Sequence, residues 1–329
     1  MSSKPLFLSV MKVVVIGGSG HFEYALTGND LVQIVAYAPG HISEDLSRIK
    51  SALPHTRYYS DFRQMLDNED PDVAVINPHF HLNGSIVIEC LKRHIHCFCE
   101  KPVSLEASEL EEIEALYSSS KVHLGTMMIH RYEPWFNAAQ KAIEAGEIGS
   151  PIQVSVQKSY KMGAKPAWMQ DKKQFGGIIP WVGAHALDLA YWMIGNTLQI
   201  DSAQQTTLGN KGQGEVESAA QVHFSWGNKG LGIILLDYLR PAKAHSHGDD
   251  RIRIVGEQGL IEVMQSKATV LSESEGAYEL APAHGIGLYD DFINQVERGD
   301  ATRLSAEESF NVARWCIQAE ELATKHLVR

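Results

Sequence analysis

Cysteine is scarce in this chain: four in 329 residues, and Cys90, Cys97, Cys99 and Cys316 show no zinc-type spacing. All four sit in apolar stretches, which argues against a disulfide framework and fits reduced thiols in a cytoplasmic protein. Basic excess is missing as well. The formal net charge is −11, and nucleic acid or an anionic membrane would demand a basic face, so neither is expected as a partner. No window reaches the roughly eighteen consecutive apolar residues of a membrane span. Residues 1–10 lack a small-residue cleavage site, and Met11-Lys12 runs straight into an apolar strand. They read as a leader of little consequence rather than a signal peptide. Internal repeats and low-complexity tracts are absent, and the length suits two domains.

What is present first is an alternation of strand and helix. Lys12–Ile16 is a continuous β-branched run, the mark of a strand buried on both faces. Further strands are expected at 31–37, 57–59, 73–76, 96–99 and 122–127, with Ser60-Asp61 as a helix cap. This order predicts a parallel, doubly wound α/β sheet. Gly17-Gly18-Ser19-Gly20 follows the first strand and precedes a helix expected through Ala25 and Leu26. Such a turn cradles a dinucleotide pyrophosphate. In the G-x-G-x-x-G register from Gly17, Ser19 holds the second glycine position and Phe22 the third. At the end of the second strand, Ala36-Tyr37-Ala38-Pro39-Gly40 carries no acid for a ribose 2′-hydroxyl. Either the 2′-phosphate cofactor is accepted, with Arg48 or Lys50 as its partner, or binding is weak; NAD and NADP both stay open.

Cys99-Glu100-Lys101-Pro102 follows the fifth strand and precedes a helix start at Ser104. A lysine between an acid and a proline at a strand's carboxyl end is a positioned cation facing the ligand crevice of an open α/β sheet. The plain alternative is a surface lysine beside its salt-bridge partner.

From about Ser150 the pattern changes to strict alternation, at 152–156, 219–224, 233–238, 251–255 and 260–263. That predicts antiparallel strands with one covered face. Within Gly176–Trp192, His185 and Asp188 lie three apart on a helix and Trp181 one turn upstream, all on one side. The helix offers a histidine to a site, or buries a satisfied core histidine; Asp188 is its orienting partner or a surface acid. Tyr160, Lys161, Trp168 and Tyr191 line a pocket or pack. His130 and Arg131 stand at the outlet of the sixth strand. His94-x-His96 sits where helix passes into buried strand and shares no open site, and His245-x-His247 lies on a loop without a rigid third ligand, so no metal is expected.

The glycine turn, Asn77-Pro78, Glu100-Lys101-Pro102, His130-Arg131-Tyr132-Glu133-Pro134, Gly176-Gly177 and Gly183-x-His185-x-x-Asp188 occur in one order. Ala145-Gly-Glu-Ile-Gly149 and Arg251–Gly259 continue it along the whole chain. Together they resemble the glucose–fructose oxidoreductase / inositol dehydrogenase (Gfo/Idh/MocA) family. The resemblance implies a Rossmann domain over 1–128 and an α/β domain over 129–329 with a large open, mainly antiparallel sheet, the last helix packing back on the first domain. It implies NAD or NADP as cofactor, held by Gly17, Gly18, Ser19, Gly20, His21, Phe22, Ala38, Asn77, Pro78, His81, Glu100 and Lys101. It gives Lys101 and His185 as the catalytic pair and a cis Lys101–Pro102 bond. His130, Arg131, Tyr160, Trp168, Trp181 and Asp188 become substrate-binding residues. The implied activity is hydride transfer at a hydroxyl of a sugar, sugar derivative or cyclitol, by a homodimer or homotetramer assembled through the second sheet. Three departures stand out. Trp181 replaces the usual acid of D-x-x-x-H, Trp168-Met169 replaces Trp-Arg, and His79-Phe80-His81 replaces the common T-P-N-x-x-H. Two other readings stay open: an NAD-assisted glycoside hydrolase, and a cofactor-binding regulator without catalysis, which the irregular glycine turn and Trp181 support and the retained Lys101 and His185 oppose.

Overall fold

Val13–Ile16 and Val73–Ile76 are wholly buried, as strands covered on both faces must be. They form the centre of a six-stranded parallel sheet. Its strands are β1 (Met11–Ile16), β2 (Val32–Ala38), β3 (Arg57–Tyr58), β4 (Val73–Ile76), β5 (His96–Cys99) and β6 (Leu124–Thr126), in the order β3-β2-β1-β4-β5-β6. The strand order reverses between β1 and β4, which puts a ligand crevice at their carboxyl ends, at Gly17 and Asn77. Helices α1 (Ser47–Ala52), α2 (Phe62–Glu69), α3 (Asn83–Lys92) and α4 (Ala107–Ser118) connect the strands. Asp61 caps α2 by accepting from the Arg63 and Gln64 amides, which satisfies donors that a helix start leaves open. The computed structural model describes residues 10–195, 197–227 and 229–325; the leader expected over 1–10 lies outside them except for Val10.

The chain divides into two units. The first comprises residues to Ser104, Ser108–Met127 and Leu288–Ala306, and the second Leu105–Ala107, Met128–Gly287 and Glu307 onward. The second unit holds an eight-stranded sheet in the order β14-β13-β12-β11-β7-β10-β9-β8. These strands are β7 (Pro151–Tyr160), β8 (Leu198–Thr206), β9 (Ala219–Trp226), β10 (Gly230–Asp237), β11 (Gly248–Gly256), β12 (Gly259–Met264), β13 (Lys267–Ser272) and β14 (Gly276–Glu279). Its pairs are antiparallel except β7 with β10, which runs parallel. Alternation reports which face is buried and carries no strand direction, so this exception was invisible to it. Strand β8 also escaped, because Gln, Asp and Ser dominate it and its register shifts between Ile200 and Ser202.

One face of this sheet, with Val154, Val156, Ile252, Ile254, Ile261 and Val263, is buried. Helix α5 (Pro134–Glu144) packs on β12 and β13. After the short α6 (Lys172–Phe175), α7 (Ala184–Ile194) packs on β7. The opposite face shows Leu231, Met264 and Leu271 exposed. Downstream, α8 (Leu288–Arg298) belongs to the first unit, where Tyr289 and Phe292 pack on Phe98 of β5 with ring centroids 5.1 and 5.3 Å away. Most of α9 (Ala306–Lys325), the last helix, belongs to the second unit. Among the described residues no helix is long and apolar enough to cross a membrane.

Candidate active site

In the first unit, chemistry gathers where β1, β4 and β5 end. Gly17 has φ +80°, and a Cβ there would lie 2.5 Å from the Pro78 Cα. Only glycine allows that conformation and that approach together. The Ser19 and Gly20 amides donate to the Asn77 carbonyl at 2.9 and 3.3 Å. The His21 amide donates to Glu100 Oε1 at 3.0 Å, and its ring Nδ1 meets the same carboxylate. The turn therefore opens a four-residue 3-10 helix, Phe22–Ala25, instead of the α-helix expected through Leu26. This also explains Phe22 in place of glycine. Without a close helix–strand crossing, its ring goes into the core, 1% exposed, with the Arg48 guanidinium 5.4 Å from its centroid.

Glu100 and Lys101 are 0% and 1% exposed. The plain reading of Lys101 as a solvated surface lysine is overturned, because β5 delivers it straight into the interior. Glu100 Oε2 accepts the Lys101 amide at 2.9 Å and lies 3.7 Å from its Nζ. Burial alone would raise the Glu100 carboxyl; the Lys101 and His21 charges override it and hold the group down at about 2. Asn83, opening α3, donates to the carbonyls of Glu100 (3.2 Å) and Pro102 (2.9 Å), and the Lys101–Pro102 bond is cis.

A nicotinamide dinucleotide fits these residues on an observation of the structure itself. The Asn77 side chain is 0% exposed, and both its Oδ1 and Nδ2 lack a hydrogen-bond partner, a state buried amides rarely keep. A Cβ on Gly20 would fall 2.8 Å from Glu100 Oε1 and 2.9 Å from Asn77 Oδ1, so the turn's surface stays open only as glycine. Beside it, His41 stacks on His79 with centroids 5.2 Å apart, and His81 lies 6.3 Å from His79. Burial, with His41 and His81 nearby, lowers His79 to about 4. Ala38 is buried at the end of β2.

In the second unit, His185 stands half-buried on the first turn of α7, its ring centroid 5.1 Å from that of His130. His130 Nε2 is 2.5 Å from Lys158 Nζ, which lies 3.0 Å from Asp250. The Tyr160 hydroxyl donates to Asp250 at 2.9 Å. Lys158 and Asp250 face each other across β7 and β11. Burial lowers the Lys158 ammonium despite Asp250 beside it. Sequence reasoning missed both residues. The available signal was a lysine continuing the inward positions Val154 and Val156 of β7.

Arg131 and Asp188, expected at the substrate, are 1% exposed and joined to each other. Arg131 Nη2 donates to Asp188 Oδ1 at 2.6 Å, Nε donates to the same carboxylate at 3.0 Å, and Nη1 donates to Glu308 at 2.8 Å. Burial works against the guanidinium charge, but the two carboxylates raise its pKa further. The Asp188 carboxylate is thus buried and bound by Arg131, which corrects the alternative of a surface acid. Trp168 and Trp181 are half-buried and flank Phe175, at 6.3 and 6.5 Å between centroids. Glu217, also unanticipated, accepts from Lys172 at 2.5 Å and from the Ile178 amide at 3.3 Å. It thereby anchors the π-helical turn Ile179–Gly183 that leads into α7. No cluster of three or more potential metal ligands occurs among the described residues.

Residues 11–127 match the family described as oxidoreductase, NAD-binding Rossmann fold, and residues 136–262 match the Gfo/Idh/MocA C-terminal domain. A solved oxidoreductase structure from Thermotoga maritima is 36% identical, with a TM-score of 0.93 over 95% of this chain and 98% of that one. A myo-inositol 2-dehydrogenase, also of Thermotoga maritima, is 26% identical over 317 residues, 91% of this chain and 92% of the relative. A levoglucosan dehydrogenase solved with NADH shares the fold, with a TM-score of 0.79 at 20% identity over 96% of this chain and 97% of that one.

Proposed function

The chain belongs to the Gfo/Idh/MocA family of NAD-binding oxidoreductases, and we propose that it dehydrogenates a hydroxyl of a cyclitol, sugar or sugar derivative. The observation carrying this reading is Lys101, a fully buried ammonium fixed by Glu100 beside the unpartnered Asn77 amide. The likeness to a myo-inositol 2-dehydrogenase supports the substrate class.

The nicotinamide, when bound, supplies the hydride acceptor. The protein must withdraw the hydroxyl proton as hydride departs. His185 takes that proton, and the Lys101 ammonium steadies the developing alkoxide. His130, packed on His185 and backed by Lys158 and Asp250, holds the imidazole in place. Trp181 gives no carboxylate to His185, and the His130 ring packs against its imidazole. Arg131 and Asp188 act as positioning residues that brace α7, while Tyr160 contributes a hydroxyl. Trp168 and Trp181 offer aromatic faces to the C–H surface of a sugar-like ring. Four buried free thiols suit a cytoplasmic location. The open face of the second sheet is the surface for a dimer or tetramer.

Lys101→Met tests the assignment. NADH should still quench the fluorescence of the variant, while kcat on a panel of inositols and aldoses falls at least about 100-fold. Unchanged turnover would remove Lys101 from catalysis. A wild-type protein that binds NADH yet reduces NAD with no member of the panel would sink the substrate class.

A further inference from the structure

Ala38 leaves the end of β2 without the acid that pairs with a ribose 2′-hydroxyl in NAD-selective folds. The structure brings a carboxylate there from further along the chain. Glu44 lies in the loop before α1. Its Oε1 accepts from the Ser19 hydroxyl at 2.7 Å, and its Oε2 accepts from the Gly40 amide at 2.6 Å and the His41 amide at 3.1 Å. Two successive amides just past the second strand, with a hydroxyl from the glycine turn, make a small anion nest. A 2′-phosphate would need such donors, and here the protein's own carboxylate occupies them.

The cations a 2′-phosphate would also need are committed or solvated. Arg48 pairs with Glu23, donates to the Gly20 carbonyl at 3.3 Å and lies 5.4 Å from the Phe22 ring centroid. Lys50 is exposed on α1. Arg48 and Lys50, the candidates for a 2′-phosphate, thus stand outside the ring of donors that Glu44 fills.

We propose that Glu44 selects the 2′-hydroxyl cofactor over its 2′-phosphorylated form, accepting from the hydroxyl and repelling the phosphate. This refines the nicotinamide-binding reading and rests on it. A carboxylate with lone pairs to spare takes one more donor readily, whereas a dianion placed against it finds like charge and filled donors.

Equilibrium titration of the full-length protein with NADH and with NADPH, read by fluorescence, tests the proposal. Wild type should bind NADH at least about tenfold tighter, and Glu44→Gln should bring the two within about threefold while keeping a cooperative thermal melt. NADPH bound by wild type as tightly as NADH, or an unchanged preference in Glu44→Gln, would overturn the role of Glu44 and leave the cofactor reading standing. A folded wild type that binds neither would remove both. Should Glu44→Gln fail to melt cooperatively, Arg48→Ala decides the matter. An unchanged preference supports Glu44, and an NADPH affinity lowered about tenfold with NADH untouched assigns the phosphate to Arg48 instead.

Discussion

Glu100 shows most plainly how a single side chain joins fold to chemistry. Its carboxylate accepts from the His21 and Lys101 amides and is flanked by the His21 ring and the Lys101 ammonium. Its folded pKa is depressed from 4.5 to about 2. The unfolded chain therefore binds the extra proton first as pH falls, and stability drops between those values. The stabilisation is complete above the ordinary carboxylate range and lost as pH passes down through about 2. Unfolding free energy followed by urea titration from pH 5 down to pH 2 should decline in wild type, and Glu100→Gln should flatten that part of the slope. Equal slopes would show that the carboxyl titrates normally. The Arg131–Asp188 pair teaches a related point. Their sequence context suggests polar groups for substrate, yet each is charge-balanced by the other, a buried arrangement that fixes geometry more than it adds stability.

At the scale of elements, the segment before α7 decides where His185 stands. Gly177 has φ +110°, and a Cβ on it would lie 3.0 Å from Glu217 Oε2. Glu217 in turn holds Lys172 and the Ile178 amide, so the glycine, the acid and the π turn form one joint. Gly177→Ala should cost about 1–3 kcal/mol in unfolding free energy, since L side chains disfavour this backbone and the carboxylate must shift. Denaturant unfolding reads the loss, and kcat should fall with it through displacement of His185. An alanine variant as stable and as active as wild type would deny the joint. The glycine turn is the counterpart in the first unit. Its sequence reads as a pyrophosphate loop opening a helix, but its Ser19, Gly20 and His21 amides are given to Asn77 and Glu100.

For the molecule as a whole, the second sheet has one face buried under helices and one open. Leu231, Met264 and Leu271 are exposed on the open face, with Arg253 and Glu262 paired beside them. Polar residues stand between them, and among the described residues the face carries no helix of this chain, so a second copy is the expected cover. Light scattering after gel filtration at micromolar concentration should give a dimer or tetramer, and Leu231→Glu should shift it toward monomer. A wild-type monomer would remove the assembly.

The amino-acid sequence alone settled whatever depends on neighbours along the chain. The β-branched runs gave parallel strands, alternation gave a half-covered sheet, and the turn and Glu100-Lys101-Pro102 gave the crevice end of the first unit. Those signals are periodic or adjacent, so they are legible without the path of the chain. Only the tertiary structure could pair Lys158 with Asp250, spend Arg131 on Asp188, turn Glu44 back to Ser19 and return α8 to the first sheet. Each of these joins residues tens of positions apart, and their partners are set by where the backbone passes, which local pattern does not encode.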